Sequence, residues 1–188
     1  MKRRLLFLFA VFMVGASVGW GQMIPTYYKV AVGTDGDGSS AGSPIYKTNL
    51  ETALSDAALS SLDSVIILLP EGVYSANAAP YFITKSSLAI IGEGDTSTVT
   101  IKSPVDIGLT NGGNVSFQKV HLTAKTSTGR GVVDIKSSKT TVSFSESKIT
   151  IEGRGTGDSG SGACFGIVSQ LTVNENTVKF INSRMYMS

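Results

Sequence analysis

Two short segments of this chain share one apolar–acid–apolar order, Val105-Asp106-Ile107 and Val133-Asp134-Ile135. If alternating strands turn the apolar residues inward, Asp106 and Asp134 project outward. On neighbouring strands the carboxylates would lie side by side, near enough for one to raise the other's pKa, as general acid–base chemistry requires. The competing reading is a solvated pair relieved by nearby Lys136. A second set is cationic: His121, Lys148 and Arg184 are spaced 27 and then 36 residues apart. Stacked, they form a basic ladder that would hold uronate carboxylates or phosphates, or serve only as a charged, soluble face. A third set lies in polar connections. The stretches 125–131 and 152–159 carry Arg130, Arg154 and Asp158, the best placed residues for loop-borne ligand contacts. Their plain alternative is a pair of flexible connectors.

Other chemistries find little support. His121 is the only histidine, which removes any two-His metal set. No Ser-His-Asp motif accompanies it. Gly153-x-Gly155-x-Gly157 lacks the strand-to-helix turn of a phosphate-binding fingerprint. Asp35-Gly36-Asp37-Gly38 has the look of a calcium loop, but the twelfth position is Tyr46 rather than a bidentate Glu. It reads as an Asp/Gly turn with local side-chain caps. Calcium therefore has no motif behind it, and no metal or cofactor is expected. The single Cys164 has no partner for an internal disulfide and reads as core filler.

What would position these residues is a repeat. Leu88-Ala89-Ile90, Val115-Ser116-Phe117 and Val142-Ser143-Phe144 are one triplet recurring every 27 residues, and Val178-Lys179-Phe180 follows 36 later. Such a period signals stacked units that cannot bury their apolar faces alone. The segments are short and alternating and are separated by Gly, Ser, Asn and Thr, so the units are strands. The fold class is all-β, a right-handed parallel β-helix with three strands per rung. The first segments are Val105/Ile107, Val133/Ile135 and Phe165/Ile167; the second are Val115/Phe117, Val142/Phe144 and Val178/Phe180; the third are Leu122/Ala124, Ile149/Ile151 and Met185/Met187. This alignment sets Gly166 beside Asp134. Longer connections, 152–163 and 169–177, absorb the longer interval.

Residues 22–64 precede the rungs. Tyr27–Val32 alternates as a first strand. Thr48-Asn49-Leu50-Glu51 reads as a capping box opening a helix over 49–61, with Leu50, Ala53, Leu54, Ala57, Ala58 and Leu62 at helical spacing. Its expected job is to cap the barrel's open first rung. Residues 1–21 read as a secretory signal: Lys2, Arg3 and Arg4, an apolar run from Leu5 to Val14, then Gly19-Trp20-Gly21. The run is too short for a membrane span, and none is expected after removal. Of 16 basic residues the signal takes three, leaving 13 against 14 acidic, so the mature chain is near neutral. That balance argues against nucleic acid as a partner.

The succession Tyr-Lys-Val-Ala-Val, a Gly/Asp loop, Tyr-Lys-Thr-x-Leu-x-x-Ala-Leu, Val-Ile-Ile-Leu-Leu-Pro-Glu-Gly-Val-Tyr and Ser-Leu-Ala-Ile-Ile-Gly-Glu-Gly covers Tyr28 to about Ile101. It resembles the opening of right-handed parallel β-helix proteins of the pectin-lyase-like superfamily, as found in pectinesterases and bacterial cell-surface proteins. The resemblance implies the fold and no single activity, since that superfamily holds lyases, hydrolases, esterases, tail spikes and adhesins. Paired acids serve its hydrolases and calcium-dependent lyases. Gly131-Val132-Val133-Asp134-Ile135 is similar to the Gly-x-Val-Asp context of a pectinesterase's catalytic aspartate. Here, however, no Gln-Asp-Thr segment precedes it, and Ile135-Lys136-Ser137 replaces the Phe-Ile-Phe-Gly continuation.

Rungs occupy 65–188, and the chain finishes at Arg184-Met185-Tyr186-Met187-Ser188, inside an expected strand, so it reads as truncated. The function expected is that of a secreted or cell-surface module that binds a polysaccharide or another surface, or acts structurally as an adhesin. The alternative is a polysaccharide-active enzyme of the pectate lyase or pectinesterase kind, with Asp106 and Asp134 as its acidic core. A self-associating structural element is a third reading.

Overall fold

A computed structural model describes residues 25–61, 63–76, 80–126, 130–154, 165–170 and 175–187. The signal segment (1–21), Asp158 and Cys164 lie outside the described residues.

The chain opens with β1 (Thr26–Val30), β2 (Ile45–Lys47) and the helix α1 (Leu50–Leu59). From there the strands recur in threes. The first trio is β3 (Val65–Leu69), β4 (Gly72–Tyr74) and β5 (Tyr81–Ile83), and the second is β6 (Ser87–Gly92), β7 (Val99–Ile101) and β8 (Val105–Ile107). β9 (Gly113–Gln118), β10 (His121–Thr126) and β11 (Gly131–Ile135) form the third. β12 (Thr140–Ser145), β13 (Lys148–Arg154) and β14 (Phe165–Ser169) follow, then β15 (Thr177–Ile181) and β16 (Arg184–Met187). Each member of a trio joins a different sheet, and every pairing is parallel. The three sheets run β2-β1-β3-β6-β9-β12-β15, β4-β7-β10-β13-β16 and β5-β8-β11-β14. The fold is therefore mostly β, with three parallel sheets and one helix.

Alternation decides which side chains enter the core. Phe117 pairs with Phe144, and their rings stack at 5.3 Å between centroids and 8° between planes. Phe180 continues the column at 5.2 Å. Such contacts add about 0.5–1.5 kcal/mol per pair to the burial itself. Val115 lies over Val142, Leu122 over Ile149 and Val105 over Val133, as the 27-residue period requires.

β14 departs from expectation. Ile167 pairs with Val133, so the neighbour of Asp134 is Val168 and not Gly166. The slip is of two residues, which keeps every side chain on its own face; a slip of one would have inverted the strand. Glu152 and Arg154, expected in a loop, belong to β13. The strand passes a register shift near Gly153, whose φ is 73°, and Arg154 pairs with Thr126.

Corners between sheets use single left-handed residues. Lys119, Glu146 and Asn182 turn the chain from the first sheet to the second at φ of 54°, 49° and 49°. Gly112, Lys139 and Glu175 do the same on return to the first sheet, at 75°, 56° and 62°. Hydroxyls satisfy the backbone beside them. Ser147 Oγ accepts from Val120 N–H at 3.4 Å, and Ser183 Oγ from Ser147 N–H at 3.0 Å.

The segments in the opening motif are bound to one another. Lys29 Nζ reaches both oxygens of Glu93, at 3.0 and 2.8 Å. Tyr74 donates its hydroxyl to Pro70 O at 2.6 Å. Gly92 is required because a Cβ there would run into the carbonyl oxygen of Lys119. The cap of α1 is Asn49 rather than Thr48: Asn49 Oδ1 accepts from Thr52 N–H at 2.8 Å, with Glu51 in the first turn. Leu50, Ala53, Leu54 and Ala57 are buried, and the helix packs on β1, β2 and β5.

Candidate functional site

Asp106 and Asp134 are register partners on β8 and β11. They face out from the third sheet, as alternation requires. They are not solvated, however: each is only 2–3 % exposed. Arg130, just before β11, lies across both. Its Nη2 donates to Asp106 Oδ1 and Oδ2 at 2.8 and 3.0 Å, and its Nε to Asp134 Oδ2 at 3.2 Å. Gly131 N–H donates to Asp134 Oδ1 at 2.7 Å, and Lys136 Nζ pairs with Asp106 Oδ2. Burial works against the charge on Arg130, but the two carboxylates outweigh it and hold the guanidinium pKa above its ordinary value.

Two acids and two bases thus close into a neutral cluster. The sequence placed Arg130 with the loops and the acids on the sheet; folding merges them. Lys136 relieves the pair as expected. A carboxylate that accepts this many charge-assisted bonds is a poor proton carrier, because taking up a proton would break several of them at once. The same outward column continues to Phe82, paired with Asp106 and 61 % exposed, a residue that the sequence reasoning had not singled out.

The cationic ladder forms on the second sheet. His121 pairs with Lys148, and Lys148 with Arg184. Acidic pair and basic ladder therefore occupy different sheets. Beside the ladder runs a polar column of Thr123, Thr150 and Tyr186, also in register. His121 Nε2 is 2.8 Å from Thr150 Oγ1, and Thr123 donates to Glu152 Oε1 at 2.7 Å. Lys148 Nζ stands 5.1 Å from the centre of the Tyr186 ring. Hydrogen bonding to Tyr186 raises the pKa of Arg184. Burial lowers that of His121, Lys148 adds to the effect, and Glu152 opposes it. Tyr186 and Glu152 were absent from the sequence candidates. Tyr186 was legible there, two places after Arg184 on the same face.

The loop-borne set does not assemble among the described residues. Arg130 is taken by the aspartates, Arg154 is held in β13 by its backbone, and Asp158 lies outside. In the early turn, Asp35 Oδ1 accepts from Tyr46 N–H at 2.7 Å and Asp37 Oδ1 from Ser39 N–H at 3.0 Å. The bonds from Ser39 lower the Asp37 pKa. These are the local caps expected of an Asp/Gly turn. Among the described residues no group of three or more His, Cys, Asp or Glu could hold a metal ion, and no helix is long and apolar enough to cross a membrane. No family model matches the chain, and no curated protein or solved structure matches it.

Proposed function

We propose that the three sheets form a right-handed parallel β-helix, closed at its first layer by α1, in a secreted or cell-surface protein that binds an acidic glycan. The binding strip is the outer face of the second sheet, with His121, Lys148 and Arg184 as the cations and Tyr186 beside them. The observation that carries this reading is the register His121–Lys148–Arg184, which sets one basic side chain on each of three successive layers. Layers about 4.8 Å apart repeat on the scale of a single sugar ring. A chain of uronates laid along the stack would meet a cation at each step. Arg184 offers the planar fork suited to a carboxylate, and the exposed Tyr186 ring offers a stacking face. The opening motif, similar to that of pectin-lyase-like proteins, supports both the architecture and an exported location.

The test is direct binding of polygalacturonate to the full chain, with a neutral galactan as control. Binding of the acidic polymer alone, weakened at least tenfold in Lys148→Ala/Arg184→Ala, is the expected result. Equal binding of both polymers, or of neither, removes the reading.

A second reading, a polysaccharide lyase or esterase working through Asp106 and Asp134, draws on their side-by-side register. Charge balance around them weighs against it. Turnover of pectin-type polymers that is lost in Asp134→Asn with the fold retained would restore it.

A further inference from the structure

Two cations of the ladder carry their charge at every pH near neutrality, whereas His121 ionises within that range. Its neighbours are few. On the β7 side its register partner is uncharged Thr100. On the β13 side stand Lys148 in register, Thr150 at Nε2 and the Glu152 carboxylate, which is bonded to Thr123. On β10 itself Lys125 follows on the same face, and it is exposed.

We infer that His121 is the acid-responsive member of the strip: its protonation adds a third cation to Lys148 and Arg184 and strengthens binding of a polyanionic glycan as pH falls. This rests on the acidic-glycan reading above. The surroundings keep the ring neutral in the free protein, since burial and Lys148 both disfavour its charge and Glu152 compensates only in part. An anionic ligand across the column supplies the missing negative charge. Binding then draws a proton from solvent onto the imidazole, and by reciprocity the proton tightens binding. Both ring nitrogens of the imidazolium donate, so the Thr150 hydroxyl becomes the acceptor at Nε2.

The test is calorimetric titration of the full chain with a defined galacturonate oligomer at pH 7.5 and 5.5, where the ligand stays ionised. One added charge at contact distance should tighten binding about five- to tenfold at the lower pH. Repeating the titration at pH 6 in buffers of different ionisation heat should show net proton uptake. His121→Gln should lose both the pH ratio and the uptake. Equal affinity at the two pH values, or a ratio that persists in His121→Gln, overturns the inference and leaves the glycan reading standing. No binding to the unaltered chain at either pH removes the glycan reading and this inference with it.

Discussion

Arg130 shares a single guanidinium nitrogen between both oxygens of Asp106, at 2.8 and 3.0 Å, while its Nε reaches Asp134. The arginine thus ties two strands of the third sheet from outside the core. Removing it as Arg130→Met leaves Asp134 with only the Gly131 amide as a described donor, and Asp106 with Lys136. Loss of about 2–4 kcal/mol in urea unfolding is expected, because an uncompensated buried charge costs more than the pair contributes. Adding Asp134→Asn to that variant should recover part of the loss. A variant within about 0.5 kcal/mol of the parent would show that the cluster does not hold the sheet.

Gly92 ends β6 where the next layer's corner carbonyl, from Lys119, occupies the space of a side chain. Gly92→Ala should therefore destabilise by about 1–3 kcal/mol through backbone displacement. Gly108, which has nothing near its missing Cβ, provides the matched control. Equal denaturation midpoints for the two alanine variants would contradict the close approach.

Glu146 holds a left-handed backbone at φ 49° between layers that place Lys119 and Asn182 in the same conformation. Asparagine tolerates this region better than glutamate does, and a β-branched residue tolerates it worse. Glu146→Asn should gain about 0.5 kcal/mol, and Glu146→Val should lose about 1–2 kcal/mol. Thermal midpoints of the pair, moving in opposite directions from the parent, are the check.

Tyr74 and Tyr81 both have phenol pKa values raised to about 12. Burial is the main cause; the charge of Glu93 adds to it at Tyr74, and that of Glu51 at Tyr81. The folded value exceeds the unfolded one, so this contribution to stability is complete below pH 10 and is lost as pH climbs from 10 through 12. Urea midpoints measured at pH 9, 10.5 and 11.5 should fall across that series. In Tyr74→Phe the decline should be shallower, from a start lowered by about 1 kcal/mol for the lost bond to Pro70.

Much of this arrangement was legible in the chain because side-chain direction follows from spacing alone. The 27-residue interval placed Asp106 beside Asp134 and His121 beside Lys148 without any coordinates. It failed at β14, where the neighbour of Asp134 is Val168: a long connection carries no period, and a slip of two leaves the alternation intact. The burial of the two aspartates was equally hidden, because it depends on a side chain from a loop folding back over the sheet. Asn49 displaced Thr48 as the cap since both can accept from the first turn, and one-residue shifts at helix ends lie below what sequence pattern resolves. β2, only three residues long, is too brief to show alternation.

Phe117 and Phe144 are separated by 27 positions and Phe144 and Phe180 by 36, yet the ring spacings, 5.3 and 5.2 Å, are almost the same. Lengthening the connections has left the aromatic column undisturbed. Evolution can thus enlarge, shorten or rewrite the segments leading into and out of β14 while the scaffold beneath stays constant. Those junctions are also where a protein engineer would graft foreign peptides with least damage.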